Sequence, residues 1–150
     1  MDMLSSPDFK ELLSIMAKHK VRYLIVGGYA VMKYTQPRFT KDLDLCISTD
    51  IQNAKSVYSA LSEFGAPLKD MTFKDFTEEG YFYQMGKPPF RLDIMMSLPG
   101  VNFEKAWKNR VETIIGDLKI PFISKEDLIK AKETCGRPQD LIDLENLRKS

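Results

Sequence analysis

Three aspartates and two glycines are the residues of this chain best suited to chemistry. Thirteen residues separate Val26-Gly27-Gly28 from Asp42-Leu43-Asp44, and Asp93 follows within Phe90-Arg91-Leu92-Asp93-Ile94-Met95. Side chains alternate along a strand, so Asp-x-Asp puts both carboxylates on one face. Two carboxylates held that close repel each other unless a cation sits between them. Hard divalent ions, Mg2+ or Mn2+, take oxygen ligands of this kind and share them with phosphate oxygens. The pattern therefore points to metal-assisted chemistry on a nucleotide. Asp-x-Asp alone is weak: twelve aspartates in 150 residues give about one such spacing by chance. A solvated strand face is the plain alternative.

The elements that must position these residues can be read locally. Val21 to Val26 is a compact, mostly apolar run that reads as a buried strand ending in Gly27-Gly28. A helix is predicted to begin near Tyr29 and run to Tyr34, with Ala30, Val31 and Tyr34 available for packing, before Thr35-Gln36-Pro37-Arg38 breaks it. A strand that ends in Gly-Gly and leads into a helix sets bare N–H groups at the helix N-terminus, where phosphate binds well. Glycine also lets a phosphate approach the backbone closely. An ordinary tight turn is the alternative for this pair. Leu43, Leu45 and Ile47 alternate with Asp42, Asp44, Cys46 and Ser48, giving a strand with one apolar and one polar face.

Elsewhere, Ser6-Pro7 marks a helix start, with Phe9, Leu12, Leu13, Met16 and Ala17 at helical spacing. Ser48-Thr49-Asp50 caps a helix carrying Ile51, Ala54, Val57, Tyr58, Leu61 and Phe64, and Gly65 ends it. Tyr81 to Gln84 and Arg91 to Met95 are predicted strands joined by Met85-Gly86-Lys87-Pro88-Pro89. Phe103 to Trp107 is a short helix, and Val111 to Ile115 and Leu118 to Ile120 a hairpin around Gly116-Asp117. Ser124-Lys125-Glu126-Asp127 resembles a capping box before Leu128, Ile129 and Ala131. Gly136 stops that helix, and Pro138 starts a last one packing Leu141, Ile142, Leu144 and Leu147. Helices mixed with strands adjacent in sequence favour an α/β (α+β) fold. The expectation is a mixed, mainly antiparallel sheet flanked by helices.

The bulk numbers narrow the class. At 150 residues, 43% hydrophobic and 29% charged, the chain suits one globular domain over 1–150, with C-terminal helices from about residue 124. A net charge of +1 gives no whole-molecule signal for nucleic acid or membrane. Cys46 and Cys135 are too few for a disulfide framework, and a cytoplasmic setting is the expectation. The opening residues hold no basic segment leading into an apolar run, which argues against a signal peptide. No apolar stretch approaches membrane-spanning length. The single histidine, His19, sits between Lys18 and Lys20 and reads as a solvated helix end. A multi-histidine zinc site is excluded.

Taken together, Val26-Gly27-Gly28, the spacer, Asp42-Leu43-Asp44 and Asp93 resemble the nucleotidyltransferase superfamily that includes DNA polymerase beta-like enzymes. The resemblance covers residues 21 to 95 by motif. It extends more loosely through Lys125-Glu126-Asp127-Leu128-Ile129 and Gly136-Arg137-Pro138-Gln139-Asp140 to the C-terminal helices of small bacterial nucleotidyltransferase-like proteins. Some of those belong to toxin–antitoxin or phage-abortive systems, and related ones modify aminoglycosides or lincosamides. The resemblance implies transfer of a nucleoside monophosphate from an NTP to an acceptor hydroxyl, with release of pyrophosphate. Asp42, Asp44 and Asp93 would be catalytic carboxylates and ligands of Mg2+ (or Mn2+). Gly27 and Gly28 would hold the nucleotide's phosphates. A lysine before the Gly-Arg-Pro turn can approach the nucleotide in such proteins, which makes Lys132 a candidate, with Lys130 behind it. A solvated helix lysine is the alternative for either.

Arg38, just before the aspartates, could meet a triphosphate or could simply keep a loop in solution. Arg137, Asp140 and Asp143 could form no more than a helix-terminal charge network. Trp107 and Tyr81-Phe82-Tyr83 are assigned to core or hairpin packing in preference to a base-stacking platform. Phosphohydrolases that use the first aspartate of Asp-x-Asp as a nucleophile fit poorly. Their motif follows an apolar strand, whereas here Gln36-Pro37-Arg38-Phe39-Thr40-Lys41 precedes it. A non-catalytic protein of the same fold, binding a nucleotide or a partner as in a toxin–antitoxin pair, is the second reading. The acceptor stays open among small molecule, RNA and protein, and a second subunit of a homodimer could complete the cleft.

Overall fold

The computed structural model describes residues 6–37, 40, 42–87 and 90–150. Helix α1 (Pro7–Lys18) starts as its sequence requires: the Ser6 hydroxyl accepts the Phe9 N–H and Pro7 occupies the first turn. It buries Phe9, Leu12, Leu13 and Met16, with Ile15 inward where Ala17 was expected. His19 caps its C-terminus and hydrogen-bonds Glu63 at 2.9 Å.

Strand β1 (Tyr23–Val26) is buried at all four positions. Helix α2 (Gly27–Tyr34) follows without a linker and begins at the diglycine, two residues earlier than its sequence predicts. Strand β2 (Asp42–Ile47) carries the Asp-x-Asp pair. Helix α3 (Ile51–Phe64) is capped by Asp50, which accepts the Asn53 N–H at 2.8 Å, and ends at Gly65 with φ 91°. The stretch after it holds a 3-10 turn over Phe73–Thr77.

Strands β3 (Phe82–Lys87) and β4 (Phe90–Met95) pair antiparallel and run closer to their turn than predicted. Then come α4 (Phe103–Lys108), the hairpin β5 (Val111–Ile115) and β6 (Leu118–Phe122), α5 (Lys125–Cys135) and α6 (Pro138–Lys149). Gly116, at φ 64°, takes the first central position of the β5–β6 turn, the place where a type II′ turn needs glycine. The Ser124 hydroxyl caps α5 through the Asp127 N–H and donates to the Asp127 carboxylate.

The six strands form one mixed sheet in the order β3-β4-β2-β1-β6-β5. The pairings β3–β4, β2–β1 and β6–β5 are antiparallel, and β4–β2 and β1–β6 are parallel. The expected mixed, mainly antiparallel sheet flanked by helices is the one observed. Leu43, Leu45, Leu92 and Ile94 are fully buried and join a core cluster with Phe9, Leu12, Val57 and Leu61 from α1 and α3. Asp42, Asp44 and Asp93 alternate with those leucines and the isoleucine, so they point to the opposite face.

Two packing expectations are overturned. Tyr81 and Phe82 are exposed (67% and 64%), whereas Tyr83 is buried. Strand β3 lies at the edge of the sheet, and register pairs Phe82 with Met95 and Gln84 with Asp93, on the carboxylate face. Alternation sends only Tyr83 and Met85 into the core. Leu141 and Ile142 of α6 are likewise exposed, while Asp140, Asp143, Leu144 and Leu147 face inward. No described helix is long and apolar enough to cross a membrane.

Candidate active site

The parallel pairing of β2 with β4 creates the site. It sets Asp44 beside Asp93 and Asp42 beside Arg91, while the antiparallel β1 sets Val26 beside Asp44. One oxygen from each of Asp42, Asp44 and Asp93 lies within 4.8 Å of the others. Asp44 lies deepest. Burial first, then the charges of Asp93 and Asp42 and a hydrogen bond with Asp93, push its pKa up to about 7; Lys132 opposes the rise. The cluster carries more negative charge than the arginine beside it balances, and its all-oxygen donor set suits Mg2+ or Mn2+.

Gly27 explains how Asp44 fits. It has φ 69°, and a Cβ there would lie 2.8 Å from the Asp44 Cγ. The glycine is required twice, by the left-handed backbone at the strand-to-helix junction and by the carboxylate packed against it. Gly27 and Gly28 form the first turn of α2, which has no side-chain cap, and both border the cleft.

The opposite wall comes from α5, α6 and the turn between them. Lys132 of α5 is not a solvated helix lysine. Its side chain is 11% exposed, and its Nζ lies 3.1 Å from Asp140 Oδ1 and 3.0 Å from Asp143 Oδ2. Arg137 donates to Asp140 from its backbone N–H (3.1 Å) and its Nε (2.8 Å), and Gln139 donates to Asp143 at 3.0 Å. Burial raises the Asp140 pKa, but hydrogen bonds from Arg137 and Lys132 outweigh it and hold the group down at about 2. The charge network foreseen for Arg137, Asp140 and Asp143 is thus present, centred on Lys132 and facing the cleft. Between the walls lies a cavity of about 800 Å³, with Met95, Leu98, Pro99, Leu128 and Ala131 as its apolar lining.

Six of the seven sequence-derived candidates therefore meet at one cavity: Asp42, Asp44, Asp93, Gly27, Gly28 and Lys132. Arg38, and with it Phe39 and Lys41, lies outside the described residues. Lys130 is turned to solvent beside Asp127. The residue that sequence reasoning passed over is Arg91, whose Nε lies 3.3 Å from Asp93 Oδ1. Its position two before Asp93 in a strand was the available signal, since i and i+2 share a face.

Helix-flanked mixed sheet, carboxylate trio and diglycine junction are together the plan of a nucleotidyltransferase. The chain belongs to the family described as "Nucleotidyltransferase of unknown function (DUF6036)", which it matches over residues 7–148. By sequence, no curated protein matches it. Among solved structures, it is similar to the lincosamide antibiotic adenylyltransferase LnuA in its lincomycin-bound form. The TM-score is 0.55 at 20% identity, over 95% of this chain and 96% of that one. It is also similar to a Thermotoga maritima protein assigned as a nucleotidyltransferase, with a TM-score of 0.61 at 19% identity over 93% and 88% of the two chains. At these identities the likeness is one of fold.

Proposed function

We propose that the protein transfers a nucleoside monophosphate from an NTP to an acceptor hydroxyl and releases pyrophosphate. The observation that carries this reading is the convergence of three carboxylate oxygens within 4.8 Å, beside a diglycine helix start and across a cleft from a buried lysine. Asp42, Asp44 and Asp93 would hold Mg2+ or Mn2+. When bound, the metal supplies positive charge to the reacting phosphate and to the entering and leaving oxygens.

The chain's own residues do the rest. The N–H groups at Gly27 and Gly28 bind phosphate oxygens at the positive end of α2. Lys132 meets the triphosphate from the other wall, and Asp140 and Asp143 fix where its ammonium sits. Arg38 is a further phosphate contact in this reading. The apolar wall of Met95, Leu98 and Pro99 receives the nucleoside and excludes water from it. Asp93 neighbours the open edge of the sheet and accepts a hydrogen bond from the attacking hydroxyl. That oxygen bonds to the α-phosphorus, the bond to the β-phosphate oxygen breaks, and pyrophosphate leaves with the electron pair. The hydroxyl's proton passes to solvent.

The test is pyrophosphate release with each NTP, Mg2+ and a panel of hydroxyl acceptors that includes lincomycin, RNA and protein. Asp42→Asn and Asp44→Asn are expected to abolish transfer while the fold persists by circular dichroism. Full turnover in either variant would overturn the assignment. Metal-dependent nucleotide binding without product on any acceptor would leave a binding protein in its place.

A further inference from the structure

Alternation along β4 puts Arg91 on the same face as Asp93, and the parallel register sets it beside Asp42. Its Nε lies 3.3 Å from Asp93 Oδ1 and 3.9 Å from Asp42 Oδ1. The Arg91 and Asp42 side chains are each 36% exposed, whereas Asp93 is 15% exposed. Among the described residues, Arg91 is the cation that ion-pairs with two members of the trio. It reaches them on a long side chain that is itself partly exposed. A divalent ion shared by Asp42 and Asp93 would meet the guanidinium at like-charge distance, so the two oppose each other there.

We propose that Arg91 is a displaceable counter-ion. It positions the Asp42 and Asp93 carboxylates before metal arrives and yields its place to a divalent cation. The proposal rests on the carboxylate trio being a metal site, as argued above. Arg91 is a positioning residue here: it acts through Asp42 and Asp93 on the affinity for metal. Binding of the ion breaks two ion pairs, so Arg91 competes with it and sets a threshold of metal concentration for occupancy.

The experiment is a Mn2+ titration followed by electron paramagnetic resonance, without nucleotide. Arg91→Gln is expected to bind Mn2+ about tenfold more tightly than wild type, because a competing unit charge is gone. Arg91→Lys, which keeps the charge, is expected to stay within about twofold of wild type. An Arg91→Gln affinity equal to or weaker than that of wild type would overturn the role. Nuclear magnetic resonance of the wild-type protein tests the same point without a variant. The Arg91 Nε–H signal should shift on Mg2+ addition, and an unmoved signal overturns the proposal. The metal reading fails separately: wild type that binds no Mn2+ at all would remove the trio as a metal site. Mn2+ binding lost in Asp44→Asn but unaltered in Arg91→Gln would remove only Arg91.

Discussion

Asp44→Asn should stabilise the metal-free protein while destroying the proposed metal site, and the size of the gain should depend on pH. Burial and the neighbouring carboxylates push the Asp44 pKa up to about 7 in the fold, against 3.8 for a free aspartate. The folded state therefore holds a proton that the unfolded state gives up between about pH 4 and pH 7. Stability falls as pH rises wherever the folded state binds more protons. Roughly three pKa units at 1.36 kcal/mol each amount to about 4 kcal/mol by pH 8. Asparagine carries no charge at any pH and can still offer a hydrogen bond to Asp93.

At pH 5, about one unit above the unfolded value, wild type has lost only about 1–2 kcal/mol, so the variant should melt roughly 3–6 °C higher. At pH 8 the variant should melt roughly 10 °C higher, using the 2–4 °C per kcal/mol expected for a chain of this size. The assay is thermal unfolding by circular dichroism in chelator, from pH 5 to pH 8, on both proteins. Comparing the two cancels the titrating groups that do not interact with Asp44. Saturating Mg2+ at pH 8 should raise the wild-type melting point and leave the variant where it was. Two parallel melting curves across that range, or a variant less stable at pH 8, would refute the reasoning.

Two further outcomes follow from the geometry. Gly27→Ala should keep the fold, lose about 1–2 kcal/mol to the left-handed backbone and lose Mn2+ binding as the new Cβ displaces Asp44; normal Mn2+ binding would contradict the close packing described. Lys132→Met should leave Asp140 and Asp143 buried without their shared cation, at a cost of roughly 3–5 kcal/mol, read as a drop in denaturant midpoint. A Lys132→Met midpoint equal to wild type would show that the network carries no stability.

The local chemistry of the site was legible because it depends on near neighbours. Asp42 and Asp44 share a face through strand alternation alone, and Ser6, Asp50 and Ser124 announce their helices through capping. Asp93 could be nominated only by its apolar flanks. Its placement needs the β2–β4 pairing, which joins strands nearly fifty residues apart and has no signature in either strand. Arg91 had a local signal in its place two before Asp93, but its partnership with Asp42 exists only across that pairing. The exposed Tyr81 and Phe82 show a different gap: aromatic residues predict a strand, but not whether its outer face has a helix over it. In α6, apolar periodicity pointed to Leu141 and Ile142. The helix instead turns Asp140 and Asp143 inward, because leaving Lys132 buried without carboxylates would cost more than exposing two aliphatic side chains.

The two acidic groups of the cleft are built on opposite electrostatic principles, and the contrast bears on function. Asp140 and Asp143 are nearly inaccessible but compensated, since Lys132, Arg137 and Gln139 reach their oxygens. Asp42, Asp44 and Asp93 share one face with a single peripheral arginine as their ion-pair partner among the described residues, and the innermost of them is driven towards its neutral form. A fold under selection for stability alone would put asparagine or an aliphatic residue at position 44. Keeping a carboxylate there, and a glycine at 27 to make room for it, costs stability in the free protein that, in the proposed reading, a bound cation would return. The compensated network walls the cleft; the trio, in the proposed reading, is a receptor for positive charge. The metal-dependent recovery of wild-type stability at pH 8, absent in Asp44→Asn, is the measurement that separates this account from one in which the trio is merely a solvated acidic surface.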